Sequence, residues 1–255
     1  MNFTDRWGLL LILAIGIPAA AEPIDVMEAR VFQGTRGGSL PYRLYKAEGA
    51  DALSKKPLVL FLHGAGERGN DNRSQLKHGV ARFVSTESQS AHPCFVVAPQ
   101  CPSNAKWADV EWGASSHVQS VTPTEPLRLV MELIPALVKE LPIDVKRLYV
   151  TGLSMGGFGT WDLVMRQPDV WAAAVPVCGG ADDTKAALLV RLPVWVFHGG
   201  NDNVVKTSRS RSMVEALKRA GGAPKYTEYA GVGHDSWTRA YAEPELLTWL
   251  FSQTR

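Results

Sequence analysis

The 255-residue chain is short of several things, and each shortage excludes a class of protein. It has three cysteines, Cys94, Cys101 and Cys178, too few for a disulfide-built scaffold and without C-x-x-C spacing for zinc. Charge of one sign is lacking: 27 Lys and Arg face 25 Asp and Glu, a net +2 that gives no strong field for nucleic acid or an anionic membrane. No cluster of His, Cys and Asp has metal-ligand spacing, so no metal is expected. Repeats, low-complexity tracts and a Pro/Ser-rich linker are missing too, which leaves a single domain. With 45% hydrophobic and 20% charged residues, a disordered chain is excluded.

A membrane-spanning run is also missing. Trp7–Ile17 is apolar but reaches only about half of the ~20 residues that cross a bilayer. Pro18-Ala19-Ala20-Ala21 follows with an A-x-A pattern before Glu22. Residues 1–21 therefore read as a cleaved signal peptide, with an uncleaved anchor or a buried first helix as the alternatives. The mature domain, 22–255, is expected to be secreted or periplasmic, with no stable membrane insertion after cleavage. In that compartment disulfides are permitted. Cys94 and Cys101 flank the strand-like Phe95–Ala98, which would hold them roughly 20 Å apart, beyond disulfide reach. Cys101 could pair with Cys178 only if the loops after two strands converge; otherwise all three stay as buried thiols.

What the chain does have is order. Val26–Phe32 and Pro41–Tyr45 read as a hairpin joined by the turn-rich residues 33–38. After Lys56, short apolar runs alternate with amphipathic stretches. The runs are Leu58–Leu62, Phe95–Ala98, Arg147–Thr151, Ala172–Val177, Val194–Phe197 and Lys225–Tyr229. The stretches between them predict helices over Arg73–Val84, Glu125–Lys139, Met155–Met165, Ser208–Ala220 and Thr238–Ser252. Continuous apolar strands alternating with helices indicate a parallel sheet covered on both faces, an α/β domain. Such sheets gather functional groups where strands end.

The unusual residues of this chain sit at those ends. Gly152-Leu153-Ser154-Met155-Gly156 follows a strand and opens a helix, the setting in which a G-x-S-x-G turn strains and exposes a serine hydroxyl. Ser154 is the candidate nucleophile. It needs a base, and the base an orienting acid, in the chain order acid then histidine. Asp202 follows the strand Val194–Phe197, with Asp235 and Asp182 as competitors. His234 follows Lys225–Tyr229 and is preferred to His63, His78, His92, His117 and His198, which precede the nucleophile or merely end strands. An oxyanion would need backbone donors, and the N–H groups of Met155 and Ala65 are the candidates, the latter in His63-Gly64-Ala65-Gly66.

Taken together, Leu62–Gly69 (LHGAGERG), Ala98-Pro99-Gln100-Cys101-Pro102 with Trp107, the Ser154 turn, Asp202 and His234 resemble the α/β-hydrolases. Within them the chain resembles the phospholipase/carboxylesterase and dienelactone-hydrolase-like esterases, including secreted members described as predicted peptidases. The resemblance runs from about Glu28 to the end. It implies an eight-stranded, mostly parallel sheet with helices on both faces and an N-terminal antiparallel hairpin, a cofactor-free serine hydrolase, and Ala65 as an oxyanion donor.

Substrate contacts are less sharply marked. Gln100, Glu67, Trp107 and Trp112 are the candidates; the two tryptophans belong to the loop-rich Ser103–Gln119 and either wall the mouth of the site or cover the core edge. Glu67 and Arg68 read as an ion pair shaping the loop, or as a direct substrate contact. Trp161 reads as core. No insertion resembles a lid, which favours short acyl groups or an ester projecting from a polymer. Three readings follow: a secreted serine carboxylesterase acting on small-molecule or polymer-linked esters, a serine peptidase of the prolyl-oligopeptidase-like type, or a non-catalytic binding protein on the same fold. Acyl and alcohol specificity and oligomeric state stay open.

Overall fold

The computed structural model describes residues 22–255, so the signal peptide expected at residues 1–21 lies outside the described residues. Eight strands form one sheet: β1 (Glu28–Gln33), β2 (Ser39–Tyr45), β3 (Lys56–Leu62), β4 (Phe95–Pro99), β5 (Ile143–Leu153), β6 (Ala173–Val177), β7 (Trp195–Gly199) and β8 (Lys225–Tyr229). Their spatial order is β1-β2-β4-β3-β5-β6-β7-β8. The first two strands pair antiparallel, β2 runs antiparallel to β4, and every later pairing is parallel. This is the sheet that the resemblance implies.

Side-chain alternation divides the core in two. In β3, Leu58, Leu60 and Leu62 point into one apolar cluster while Val59 and Phe61 point into the other. The first cluster is covered by α4 (Glu125–Glu140), α5 (Met155–Arg166) and α6 (Ser208–Arg219), through residues such as Leu133, Trp161 and Leu217. The second lies under α2 (Ala81–Val84), α7 (Ser236–Ala242) and α8 (Leu246–Phe251), through Phe83, Tyr241 and Leu250. Two short helices complete the set, α1 (Pro23–Val26) and α3 (Thr86–Ala91). Among the described residues no helix is long and apolar enough to cross a membrane.

Two predicted helices are broken in the fold. Over Arg73–Val84 a 3-10 turn at Ser74–Leu76 is followed by α2, because Gly79 takes φ +76° where a Cβ would strike the Tyr241 ring at 2.6 Å. Thr238–Ser252 divides into α7 and α8 at Glu243-Pro244, since proline cannot continue the helical hydrogen bonding.

All three cysteines are free and buried. Cys101 belongs to one apolar cluster, Cys94 and Cys178 to the other, so the sheet stands between Cys101 and Cys178. The bridge between them is not formed. Burial pushes the Cys94 and Cys101 thiols up to about 12 and the Cys178 thiol higher still. Native protein should therefore release no chromophore from an aromatic disulfide reagent at pH 8, and about three equivalents in guanidinium. Titration of about one equivalent after unfolding would instead reveal a disulfide.

Candidate active site

The turn at Ser154 is fixed by lack of space. A Cβ on Gly156 would stand 1.9 Å from the Leu62 carbonyl oxygen, and one on Gly152 would stand 2.4 Å from the Gly156 oxygen. Only glycine lets β5 and α5 pack this closely on β3. Ser154 is left at φ +53°, ψ −116°, a left-handed conformation costing roughly 1–3 kcal/mol, held by its N–H bond to the Val177 carbonyl (2.9 Å).

Two further loops are laced together. Gly200 N–H donates to the Tyr229 carbonyl and Asn201 N–H to the Val232 carbonyl, both at 2.9 Å, which ties the β7–α6 turn to the β8–α7 turn. As a result Ser154 Oγ lies 2.8 Å from His234 Nε2, and His234 Nδ1 lies 2.7 Å from Asp202 Oδ2. The carboxylate can only accept, so Nδ1 carries the proton and Nε2 faces the serine with its lone pair. Asp235 and Asp182, the competing acids, lie elsewhere: Asp235 precedes α7, and Asp182 holds Gln119 N–H and Thr184.

Asp202 is held from every side. Its Oδ1 accepts the N–H groups of Val204 (2.9 Å) and Val205 (3.0 Å). His198, a rival for the base in the sequence, instead supports the acid: its fully buried ring places Nε2 3.2 Å from Asp202 Oδ2 and 2.9 Å from the Val205 carbonyl. Two acceptors on one side require Nε2 to be protonated; Nδ1 meets the Ser210 hydroxyl at 2.7 Å. The HG-x-x-D spacing was the available signal, because it places this ring one loop behind the carboxylate. Burial opposes ionisation of Asp202, but hydrogen bonds from His198, His234 and the two amides prevail and hold its pKa well below the usual carboxylate range.

The second loop of the site is latched by His63. Cys101 N–H donates to His63 Nε2 (2.9 Å), so Nδ1–H donates to the Gly64 carbonyl (2.6 Å). Burial pushes this imidazole down to about 4 and keeps it neutral. Ala65 and Met155 each begin a helical turn, so neither N–H has an intrahelical acceptor. A cleft of about 310 Å³ opens beside Ala65 and Ser154, lined also by His234, Leu153, Val204, Trp112, Trp237, Glu67 and His78. A larger one, about 470 Å³, lies beside the N-terminus of α4 and contains none of the three hydrogen-bonded residues.

The four candidate substrate contacts separate. Trp112 and Glu67 line the cleft. Trp107 does not: it is fully buried, its indole N–H donates to the His63 carbonyl (3.1 Å), and it cannot reach a ligand. Gln100 is equally buried, clamping the 64–72 loop through the Glu67 carbonyl (3.1 Å), Asp71 (2.7 Å) and Asn72 N–H (2.7 Å). The expected Glu67–Arg68 pair does not form. Arg68 donates instead to the carbonyls of Ala65 and Ala105 and lies over Trp112, which Lys106 also approaches. Trp237 and His78 had no local signal in the sequence. Among the described residues, one donor set could hold a metal: Cys178, Asp202 and His234, within 4.8 Å of one another. Using it would break the Asp202–His234 hydrogen bond and ionise a fully buried thiol.

A strained serine on a strand-to-helix turn, a histidine and a carboxylate after later strands, and a mostly parallel eight-stranded sheet define an α/β-hydrolase. The phospholipase/carboxylesterase family pattern matches residues 49–243, and the chain belongs to that family. It is 24% identical over 195 residues to carboxylesterase SOBER1 of Arabidopsis thaliana, covering 70% of this chain and 83% of that one. Over 94 residues it is 32% identical to the bifunctional acetylxylan esterase/xylanase XynS20E of Neocallimastix patriciarum, 36% of this chain but 14% of that protein. Its fold matches the crystal structure of a thermostable esterase with a TM-score of 0.85 and 41% identity, over 91% of this chain and 64% of that one. The chain thus spans somewhat under two thirds of that solved structure.

The depressed pKa of Asp202 has a definite consequence. A carboxylate ionising lower in the folded than in the unfolded chain (about 3.9) contributes stability that is complete above the unfolded value and lost as pH falls through the folded one. The unfolding free energy of wild type minus that of Asp202→Asn should not decline from pH 8 to about 5 and should shrink below about 4. A difference that declines between pH 7 and 5 would contradict the assignment.

Proposed function

We propose that the chain is a serine carboxylesterase. Ser154 Oγ attacks the ester carbonyl while His234 Nε2 takes its proton; the alkoxide leaves with that proton and an acyl-enzyme remains. Water then attacks the acyl carbon by the same route in reverse, with His234 again as base and then acid. Asp202 orients the imidazole and stabilises its charged form. The N–H groups of Ala65 and Met155 hold the oxyanion, each contributing roughly 3 kcal/mol. The observation that carries this reading is the continuous chain Ser154 Oγ–His234–Asp202, at 2.8 and 2.7 Å, opening into the cleft. No resident metal or cofactor takes part in the scheme.

An uncovered cleft with apolar walls suits a short acyl group or an ester carried on a larger molecule. The likeness to an acetylxylan esterase/xylanase, over part of the chain, supports polymer-linked esters as substrates. The A-x-A pattern after Trp7–Ile17 supports a secreted or periplasmic protein.

The test is hydrolysis of p-nitrophenyl esters of increasing acyl length. Short esters should turn over fastest. Ser154→Ala and His234→Ala should lose on the order of 10⁵–10⁶ in kcat, and Asp202→Asn about 10⁴. The oxyanion donor can be removed separately. Proline suits the first residue of a helical turn, and Gly64 before it is already extended (φ −79°, ψ −179°). Ala65→Pro should fold normally and lose roughly 10²–10³ in kcat. Wild-type turnover in Ser154→Ala would sink the mechanism, and wild-type turnover in Ala65→Pro would sink the role of Ala65.

A further inference from the structure

Apart from Ser154 and His234, the walls of the catalytic cleft are mostly apolar, built by Ala65, Leu153, Val204, Trp112 and Trp237. Glu67 and His78 break that pattern. The Glu67 side chain is only 8% exposed, yet among the described residues no donor lies within hydrogen-bond distance of its carboxylate. Among the described residues, the basic group within 4 Å of it is His78 Nε2, 3.7 Å from Oε1, too far for a direct bond. Both groups line the cleft, so the carboxylate turns acceptors that the chain leaves free toward whatever enters it.

The position is rigid. The Glu67 carbonyl is fixed by Gln100, its N–H bonds the Gly64 carbonyl, and its Oε2 lies so close to Gly64 that a Cβ there would stand 3.0 Å away. His78 is braced against Trp237, with ring centroids 5.7 Å apart, and Trp237 packs edge-on against His234 at 5.3 Å. The carboxylate and the imidazole therefore face the cleft as a fixed pair beside the candidate nucleophile.

We infer that Glu67 and His78 form a recognition site for a hydroxyl group on the alcohol side of the ester, and that the substrate class is an acylated polyol or sugar. The inference rests on the esterase reading and adds the substrate to it. Two polar atoms 3.7 Å apart can both lie about 2.8 Å from one oxygen, and a hydroxyl there donates to Glu67 Oε1 while it bonds to His78 Nε2. The neighbouring carboxylate favours the tautomer with the proton on Nε2, and to that N–H a hydroxyl oxygen can accept whereas an ammonium, which only donates, cannot. Trp112 and Trp237 also line the cleft and give it apolar ring surface against which the C–H groups of a sugar can pack. A site built to bond a hydroxyl discriminates strongly against the analogue without it, because its own polar groups are then left unpaired.

The experiment compares two acetates with ring alcohols of similar size, a mono-O-acetylated methyl xyloside and cyclohexyl acetate. Wild-type protein should favour the sugar ester at least tenfold in kcat/KM. In Glu67→Ala that ratio should fall to near one, and in Glu67→Gln, which keeps an acceptor, to an intermediate value. Any loss common to both esters reports the neighbouring oxyanion loop, so the ratio is the deciding quantity. Should Glu67→Ala fail to fold, His78→Phe tests the same ratio from the other partner. Equal wild-type rates on the two esters, or a ratio untouched by substitution, would overturn the inference while leaving the esterase reading intact. A Glu67-dependent preference for 2-aminoethyl acetate over both would overturn it in favour of a cationic substrate. Turnover of neither ester, nor of p-nitrophenyl acetate, would overturn the esterase reading first and the inference with it.

Discussion

The contact on which the site depends is the approach of α5 to the end of β3. The Leu62 carbonyl occupies the space where a side chain on Gly156 would begin, so the first turn of α5 sits directly against the loop that follows β3. That single constraint brings the N-terminus of the helix against the start of the loop that carries Ala65. It also forces Ser154 out of ordinary backbone geometry and into the open. The strain at Ser154 and the empty donors beside it are thus two results of one steric fact, and the surrounding sheet pairings hold both in place.

The other half of the site is ordered by polar groups rather than by volume. His63 and His198 are both buried and both end strands, and each spends its two ring nitrogens on fixing a loop: His63 the turn that carries Ala65, His198 the turn that carries Asp202. Neither faces the cleft. Histidine suits both places because it can donate on one side and accept on the other within one rigid ring.

The strands were legible because their apolar runs are continuous, and the serine turn because its glycines mark a place where side chains cannot fit. Chain order selected Asp202 and His234, and these two stand within hydrogen-bond distance of each other. Depth within a loop was not legible. Trp107 and Trp112 are five positions apart in the same loop-rich stretch, yet one hangs beneath the His63 carbonyl and the other lines the cleft. Nothing local distinguishes them, because the distinction depends on partners forty or more residues away. The broken helix at Gly79 has the same origin, since the Tyr241 ring that fills its space belongs to α7. Only the break at Pro244 was written in the local sequence.

The separation of the three thiols by the sheet has a consequence for where the fold can exist. Cys101 lies on one side of the β-layer, while Cys94 and Cys178 lie at opposite ends of strands on the other. No pair can be oxidised without tearing the layer open, and no thiol reaches solvent to react singly. The native state therefore has the same covalent structure in a reducing and an oxidising medium. Reaching it requires no oxidant, and a disulfide formed in the unfolded chain can only oppose it.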